Sequence, residues 1–284
     1  MYPAPFAYFR PSSVAEAVDL LARHGEDAKI LAGGHSLIPA MKLRLARPTA
    51  LIDLGRVPDL NGIREAGGRI VIGAMATHWA IESSRLLADR CPLLPDVAKQ
   101  IGDVQVRNKG TIGGSLVHAD PAADYPAAIL ALDAELELAG PGGRRTVRAA
   151  DFFVGLLQSA TAPGEILCEI RVPATGPTAA YVKTEQKASG FALCGVAVTV
   201  EPATGRSAVG ITGVADVPYR AAAVERALAG QLVDARAIAE AARHAADGVS
   251  PLSDIHASAD YRAHLAVVNT QRALLRAIIA APER

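Results

Sequence analysis

Two pairs of adjacent glycines are the residues of this chain whose type and spacing could bind an anion. The first pair is Gly33-Gly34 and the second is Gly113-Gly114. Because glycine has no Cβ, such a pair lets the backbone turn sharply and bring several amides to one negatively charged group. Neither pair belongs to the G-x-G-x-x-G dinucleotide fingerprint or to the P-loop pattern. An ordinary turn remains an alternative for each pair alone, whereas the two together favour a nucleotide clamp.

The residues around the glycine pairs add further hydrogen-bond donors. The first pair joins a predicted strand to a predicted helix, so the start of that helix adds unpaired amides and the positive end of a dipole. Ser36, Thr111 and Ser115 supply hydroxyl groups. Together these groups are what the binding of a diphosphate needs.

A short polar stretch follows the second glycine pair and contains His118, Asp120 and Asp124. These residue types suit a metal ion, but the sequence offers no further ligand at a useful spacing, so we predict no metal site. We predict instead that Asp124 accepts a hydrogen bond from a hydroxyl or ring N–H of a ligand. Asp120 precedes Pro121, and an alternative role for it is to cap the following turn.

Signatures of other chemistries are missing from the sequence. No G-x-S-x-G elbow occurs, the histidines are scattered, and His78 stands at a predicted helix start with no special role expected. The three cysteines form no C-x-x-C pair, so the chain shows no iron–sulfur or zinc signature of its own. We expect them to be small buried thiols, and we assign no catalytic residue.

Periodic segments predict the elements that position these residues. A capping box at Ser13 and Glu16 begins a helix that Gly25 ends. The remaining elements expected before residue 175 are strands at 29–32, 50–54, 69–74, 135–138, 145–147 and 166–172, and helices near 36–45, from 77 and near 125–132.

The segment 174–177 is the most linker-like point of the chain, with Gly176 followed by Pro177. Beyond it, residues 196–200 and 208–212 predict an antiparallel pair of strands. Helices are then expected at 221–228, 235–246 and 258–279. We therefore place a domain boundary near residue 175.

Composition limits the class of protein. The chain has 284 residues, 50% hydrophobic and 20% charged, with 29 charges of each sign. These values indicate a globular chain and lack the excess of Lys and Arg that nucleic-acid binding usually needs. The apolar runs stop far short of the roughly 20 residues of a membrane span, and the N-terminus lacks the features of a signal peptide. A cytoplasmic protein is the expectation.

The two glycine motifs resemble those of a known family. Residues 32–39 and the sequence from Thr111 to Ser115, with Asp120-Pro121 and Asp124, are similar to the two FAD-binding motifs of the flavoprotein (medium) subunits of molybdenum hydroxylases. This family includes subunits of carbon monoxide dehydrogenase and of the xanthine dehydrogenase family. The resemblance extends over the whole chain, from residues 6–11 to Tyr261-Arg262 and residues 272–274.

The resemblance implies an α+β fold: a two-subdomain α/β FAD-binding domain followed by a small domain of antiparallel strands and helices. Residues 1–175 would form the FAD-binding domain, with subdomains of about 1–57 and 58–175. Residues 178–284 would form the flavoprotein C-terminal domain, with three antiparallel strands and a helical bundle.

The resemblance also implies a set of cofactor-binding residues. The two glycine motifs would hold the pyrophosphate and ribityl chain of a noncovalent FAD, and four further residues would contact the rest of it. Lys187 could share or replace the role of Lys183. The implied FAD-binding residues are Ala32, Gly33, Gly34, His35, Ser36, Leu37, Ile38, Ile101, Thr111, Gly113, Gly114, Ser115, Asp120, Asp124, Leu167 and Lys183.

By resemblance, the chain is the electron-transfer subunit of a heteromeric oxidoreductase. A small partner subunit would carry [2Fe–2S] clusters and a large one molybdopterin, in a dimer of heterotrimers, while FAD passes electrons to an external acceptor. A self-sufficient FAD-dependent oxidase or dehydrogenase of a related fold is the alternative, although about 110 residues after the linker are few for a substrate domain. A non-catalytic nucleotide-binding or scaffold protein is a third hypothesis. The substrate and the acceptor stay open.

Overall fold

The N-terminal part of the chain is built on a three-stranded parallel sheet. The structure is a computed structural model that describes residues 2–175 and 178–280. In this sheet the strand order is β1-β3-β2. As predicted, Ser13 caps the first helix by accepting a hydrogen bond from the Glu16 amide, and Gly25 ends it. The elements are β1 (Ala7–Phe9), α1 (Val14–His24), β2 (Ala28–Leu31), α2 (Leu37–Lys42) and β3 (Ala50–Asp53).

A five-stranded antiparallel sheet forms the middle of the chain, in the order β4-β5-β10-β6-β7. The predicted hairpin at the Gly140–Gly143 turn is present between β6 and β7. Strands β8 and β9 form a separate two-stranded hairpin between β7 and β10 in sequence. The strands are β4 (Ile63–Ala66), β5 (Arg69–Gly73), β6 (Glu135–Gly140), β7 (Gly143–Arg148), β8 (Phe153–Gly155), β9 (Gln158–Ser159) and β10 (Ile166–Val172).

Short helices connect β5 to β6. The second glycine pair lies inside one of them, in the first turn of α7, so the sharp backbone turn expected at this pair is wrong. Thr111 begins this helix by accepting a hydrogen bond from the Gly114 amide. The helices are α3 (His78–Glu82), α4 (Arg85–Arg90), α5 (Leu93–Ala98), α6 (Val104–Lys109), α7 (Ile112–His118) and α8 (Tyr125–Ala131).

The remaining part of the chain contains a four-stranded sheet and three helices in the described residues. The predicted antiparallel pair is present as β12 and β13, and the three expected strands are joined by a fourth of two residues. This mixture of helices and strands confirms the α+β fold class. The elements are β11 (Ala179–Glu185), β12 (Ala192–Glu201), β13 (Arg206–Thr212), β14 (Tyr219–Arg220), α9 (Ala222–Leu228), α10 (Ala235–Ala242) and α11 (Ala259–Ile279).

Helix α8 packs on this last sheet and joins it to the middle of the chain. A methyl group built on Gly210 of β13 would stand 2.1 Å from the Ala127 carbonyl oxygen of α8, so glycine permits the close approach. Tyr181 of β11 lies in the same hydrophobic cluster as the middle sheet and its helices. The predicted linker residues Gly176 and Pro177 and residues 281–284 lie outside the described part of the chain.

Cys91, Cys168 and Cys194 are buried, as expected for structural thiols. Burial raises the pKa of the first two to about 11 and that of Cys194 to about 12. In residues 2–175 and 178–280, no helix is long and apolar enough to cross a membrane.

Candidate functional site

The two glycine motifs lie against each other. A methyl group built on Gly33 would stand 2.3 Å from the Lys109 carbonyl oxygen and 2.7 Å from the Gly110 Cα, immediately before Thr111. A methyl group on Gly114 would stand 3.5 Å from the Cβ of Ala32. Residues some 80 positions apart in sequence therefore form one site, because glycine leaves room for the two backbones to touch.

The first motif presents a run of backbone amides without acceptors. Between β2 and the first turn of α2, no described residue accepts a hydrogen bond from the amides of residues 33–37. Their N–H groups lie at half-buried or exposed positions, and the Ser36 hydroxyl is also without a partner among the described residues. Gly34 has a φ of 77°, in the region that favours glycine. Consecutive free amides of this kind bind anionic oxygens.

The second motif uses most of its amides within the protein. The amides of Ile112 and Gly113 donate to the carbonyl oxygens of Ala76 and Ala74, and the Ser115 amide donates to Thr111. A methyl group on Gly113 would stand 2.6 Å from the Ala74 Cβ and carbonyl oxygen. Gly113 is therefore needed for packing of α7 on the end of β5. The Ser115 hydroxyl has no hydrogen-bond partner among the described residues.

These groups fit the diphosphate of an FAD. The observation that carries the fit is the run of unpaired amides at residues 33–37, directly against the helix that holds Ser115. His35 stays near its own loop, since its Nδ1 lies 3.0 Å from the Gly33 carbonyl oxygen.

Asp124 and Lys183 form a buried ion pair between α8 and β11. The Lys183 Nζ lies 2.9 Å from Asp124 Oδ1, and the two side chains are 2% and 5% exposed. Lys183 also donates to the Gln100 carbonyl oxygen at 2.8 Å. The Tyr181 hydroxyl donates to Asp124 Oδ1 at 2.6 Å. Sequence reasoning selected Asp124 and Lys183 but missed Tyr181.

Burial raises the pKa of Asp124, while Lys183 and the Tyr181 hydroxyl act in the opposite direction. The pKa of Tyr181 is raised well above its usual value by burial and by Asp124. This hydroxyl therefore stays protonated and remains a hydrogen-bond donor.

Gly195 makes room for the Tyr181 hydroxyl. Gly195 lies on β12 opposite Lys183, and a methyl group on it would stand 2.3 Å from the Tyr181 hydroxyl oxygen. Any larger residue would displace the hydroxyl from Asp124. No sequence pattern indicated this role for the glycine.

The other predicted site residues lie at separate places. Leu167 is buried in the core on β10, and Ile101 packs against the same core. Asp120 accepts a hydrogen bond from the Ala122 amide at 2.8 Å, which is the turn-capping role considered for it. Lys187 is exposed, so Lys183 is the lysine that reaches Asp124. The contacts of these residues with a cofactor stay predictions.

His78 is a buried histidine that the sequence did not single out. It contacts Gly110, just before the second motif, through both backbone and ring. The His78 amide donates to the Gly110 carbonyl oxygen, and a methyl group built on Gly110 would stand 2.5 Å from His78 Nε2. Burial above all, then His35 and Arg107, lowers the pKa of His78 to about 4. His78 Nδ1 and the neighbouring Tyr125 hydroxyl have no hydrogen-bond partner within the described residues.

Two protein-family models match the chain. The model described as the FAD-binding domain in molybdopterin dehydrogenase matches residues 4–175. The model of the CO dehydrogenase flavoprotein C-terminal domain matches residues 179–277.

Curated relatives match over nearly their whole length. The carbon monoxide dehydrogenase medium chain of Hydrogenophaga pseudoflava is 43% identical, over 96% of this chain and 97% of the relative. The xanthine dehydrogenase FAD-binding subunit of Escherichia coli O157:H7 is 26% identical, over 97% of each chain. Both relatives are subunits of oxidoreductases.

The fold agrees with the same relationship. A carbon monoxide dehydrogenase structure from Hydrogenophaga pseudoflava, lacking the Mo-pyranopterin moiety of its molybdenum cofactor, matches with a TM-score of 0.95 at 43% identity. The match covers 99% of this chain and 100% of the other. Identity and coverage at this level confirm the resemblance drawn from the two glycine motifs, and the chain belongs to the FAD-binding medium subunits of the molybdenum hydroxylases, the family of the carbon monoxide dehydrogenase medium chain.

Proposed function

We propose that this chain holds FAD noncovalently at the paired glycine motifs and transfers electrons from the [2Fe–2S] clusters of a partner subunit to an external acceptor. The observation that carries the proposal is the run of unpaired amides at residues 33–37, packed against the start of α7. Bound FAD supplies the redox chemistry, because its ring system accepts and releases electrons. The protein's part is to bind and orient it.

The amides of the first motif donate to the diphosphate oxygens, with help from the hydroxyls of Ser36 and Ser115. Thr111 acts indirectly, because its hydroxyl accepts the Gly114 amide and thereby holds α7 in place. A fixed set of amides binds an anion with little loss of conformational entropy, whereas flexible lysine side chains lose conformational entropy when they bind.

We further assign Ile101, Asp124, Leu167 and Lys183 to contacts with the remainder of the cofactor. Residues 32–38 and the second motif, with Gly113, Gly114, Ser115 and Asp120, are assigned to the pyrophosphate and ribityl chain, and Thr111 supports that motif through the Gly114 amide. Asp124, Lys183 and the Gln100 carbonyl, next to Ile101, are already joined by hydrogen bonds. Because these groups hold one another in place, they would form a fixed contact surface for the cofactor where α8 meets β11.

We place the boundary of the FAD-binding domain at residue 175 and its subdomain boundary near residue 57, with the C-terminal domain over 178–284. The family models, which end at 175 and begin at 179, support the first boundary. The separate parallel and antiparallel sheets support the second.

The partners that we propose are a small iron–sulfur subunit and a large molybdopterin subunit, assembled as a dimer of heterotrimers in the cytoplasm. Two relatives of matching length are a medium chain and an FAD-binding subunit. This favours a subunit over a self-sufficient FAD oxidase, which needs a larger substrate domain of its own.

Mixing the chain with its iron–sulfur subunit tests the proposal. The iron–sulfur subunit is reduced with dithionite, freed of excess reductant and added anaerobically to the FAD-loaded chain. Loss of the flavin absorption bands at a rate that depends on the iron–sulfur subunit supports electron transfer. FAD that stays oxidised in the assembled complex contradicts it, whereas a chain that binds no FAD at all contradicts the cofactor assignment.

A further inference from the structure

The loop between helices α7 and α8 carries two of the proposed FAD-binding residues, Asp120 and Asp124. It consists of residues 119–124, and we call it the cofactor loop. Two hydrogen bonds within it form a tight turn. The Ala122 amide donates to Asp120 Oδ1 at 2.8 Å, and the Ala123 amide donates to the Asp120 carbonyl oxygen at 3.0 Å. The turn thus fixes the amides of the loop, while its carbonyl oxygens bind donors from another part of the chain.

Thr212 supplies one of these donors. It lies at the end of β13, in the four-stranded sheet of β11 to β14, which we call the C-terminal sheet, and it is 1% exposed. Its hydroxyl oxygen lies 2.8 Å from the carbonyl oxygens of both Pro121 and Ala123. A threonine hydroxyl has one hydrogen, so the two carbonyl groups share it. This side chain therefore holds both ends of the middle of the cofactor loop.

Two backbone amides of the C-terminal sheet complete the contact. The Gly213 amide, directly after Thr212, donates to the Pro121 carbonyl oxygen at 2.7 Å. The Ala192 amide, at the start of β12, donates to the Ala122 carbonyl oxygen at 3.2 Å. The three consecutive carbonyl groups of residues 121–123 are therefore all bonded to the C-terminal sheet.

Arg262 of helix α11 fixes the strand ends that make these contacts. Its side chain is buried, and its Nη1 donates to the carbonyl oxygens of Leu193 and Gly213. A methyl group built on Gly213 would stand 2.8 Å from the Leu193 carbonyl oxygen, so the two strand ends lie against each other. Nη2 of Arg262 donates to Asp254 Oδ2 at 2.7 Å. The rigid fork of a guanidinium suits such a junction, because it offers several donors in a fixed geometry.

The C-terminal sheet also contacts helix α8 away from the cofactor loop. The Thr199 hydroxyl of β12 donates to the carbonyl oxygen of Ala131, the last residue of α8, at 3.4 Å. Gly210 of β13 packs closely on Ala127 in the middle of the same helix. The hydrogen bonds to the cofactor loop are therefore an addition to the packing that already joins this sheet to α8.

We propose that Thr212 and Arg262 are positioning residues of the FAD site, which hold the cofactor loop and thereby fix Asp120 and Asp124. Both act through the carbonyl groups of the loop and not through contact with FAD. This inference rests on the proposed function, because it requires that the cofactor loop contacts FAD. A loop that is already fixed loses less conformational entropy when the cofactor binds. The competing explanation is a purely structural role, in which the Thr212 hydroxyl stabilises the fold and leaves FAD binding unchanged.

Binding of FAD to the FAD-free, full-length chain tests the proposal. Thr212→Val removes the hydroxyl with little change of shape, and Thr212→Ser restores it. Thr199→Val is the matched control, because it removes a hydroxyl of the same sheet that binds the opposite end of α8. Asp254→Asn removes the countercharge of Arg262 while keeping a side-chain oxygen. Thermal unfolding establishes that each variant folds.

We expect Thr212→Val to raise the Kd for FAD by roughly three- to tenfold, as for the loss of one buried hydrogen bond. The visible circular dichroism of the bound flavin should change as well, because the loop that contacts it is less fixed. Thr212→Ser should restore both properties, and Asp254→Asn should produce a smaller change in the same direction. Thr199→Val should lower thermal stability but leave the Kd and the flavin spectrum unchanged.

Hydrogen exchange of the FAD-free proteins gives a second measurement. The Ala122 and Ala123 amides should exchange faster in Thr212→Val than in the wild type or in Thr199→Val, since the loop then opens more often. If Thr212→Val does not fold, Asp254→Asn decides by the same two measurements.

Unchanged FAD affinity, flavin spectrum and loop exchange in a folded Thr212→Val protein overturn the proposal. An equal rise of the Kd in Thr199→Val also overturns it, because the effect would then belong to the whole contact between the sheet and α8. If the wild-type chain binds no FAD, the proposed function itself fails.

Discussion

Gly33 and Lys109 touch through their backbones, and this contact joins the two glycine motifs into one site. A methyl group on Gly33 would stand 2.3 Å from the Lys109 carbonyl oxygen, a distance that no Cβ tolerates. The glycine is therefore required for packing of the two backbone segments against each other, whether or not a ligand is bound. We therefore expect FAD binding to depend on this contact, because it places the free amides against α7.

Gly33→Val should separate the motifs and reduce bound FAD by roughly tenfold or more, since the cost of overpacking is about 1–3 kcal/mol. Flavin content of the purified protein measures the effect. Gly142→Ala is the matched control, because nothing lies within 4 Å of a methyl group there. A Gly33→Val protein with full FAD content would contradict the role assigned to the contact.

Lys183→Met should destabilise the protein by about 3–5 kcal/mol, because it leaves the Asp124 carboxylate buried without its cation. Urea unfolding of the FAD-free chain measures this loss. The double variant Lys183→Met with Asp124→Leu should lose less than the sum of the single variants, since neither charge then remains buried. Additive losses would mean that the two groups do not interact in the folded protein.

Gly195→Ala should destabilise the protein by about 1–3 kcal/mol, because the new methyl group displaces the Tyr181 hydroxyl. Tyr181→Phe removes that hydroxyl and should restore part of the loss when combined with Gly195→Ala. Thermal unfolding of the four proteins measures the coupling. Equal effects of Gly195→Ala in the Tyr181 and Phe backgrounds would exclude this clash.

Acidification should destabilise the chain through His78. Its pKa is about 4 in the folded protein and about 6.5 when unfolded, so the unfolded chain takes up the proton first. The contribution of neutral His78 to the free energy of unfolding is complete above pH 6.5 and is lost as the pH falls towards 4. It amounts to about 2 kcal/mol between pH 7.5 and pH 5.

Denaturant unfolding at pH 7.5 and pH 5 measures the His78 contribution. His78→Gln removes the titrating group, and its free energy of unfolding should change less between the two pH values. His256→Gln serves as the control, since His256 is exposed. Identical pH dependence in wild type and His78→Gln would refute the assignment.

The glycine motifs could be predicted from the sequence because short-range patterns encode them. The same kind of pattern located the β6–β7 hairpin, where a glycine-rich turn follows alternating Glu and Leu residues, and the β12–β13 pair, where turn residues separate β-branched runs. The pattern misplaced Gly113 and Gly114, since paired glycines in a helix start look the same as a turn. Gly113 must be small because of Ala74, which lies far away in sequence and so left no local signal.

Long-range partners explain the other residues that sequence reasoning missed. His78 becomes special only because Gly110 and Tyr125 fold over it, and Tyr181 only because Gly195 leaves it space to reach Asp124. Asp124 was selected as a ligand contact from its place after the second glycine pair, and Lys183 by resemblance. The structure adds that they bind each other, across two elements that pattern reasoning treated separately.

The central claim is that this chain holds FAD at the paired glycine motifs. The visible spectrum of the purified chain, with the released cofactor identified by chromatography, tests it most directly. We predict flavin absorption, release of FAD on denaturation, and one FAD per chain, with the cofactor lost in Gly33→Val and kept in Gly142→Ala. A colourless protein that takes up no added FAD, either alone or with its partner subunits, would contradict the claim.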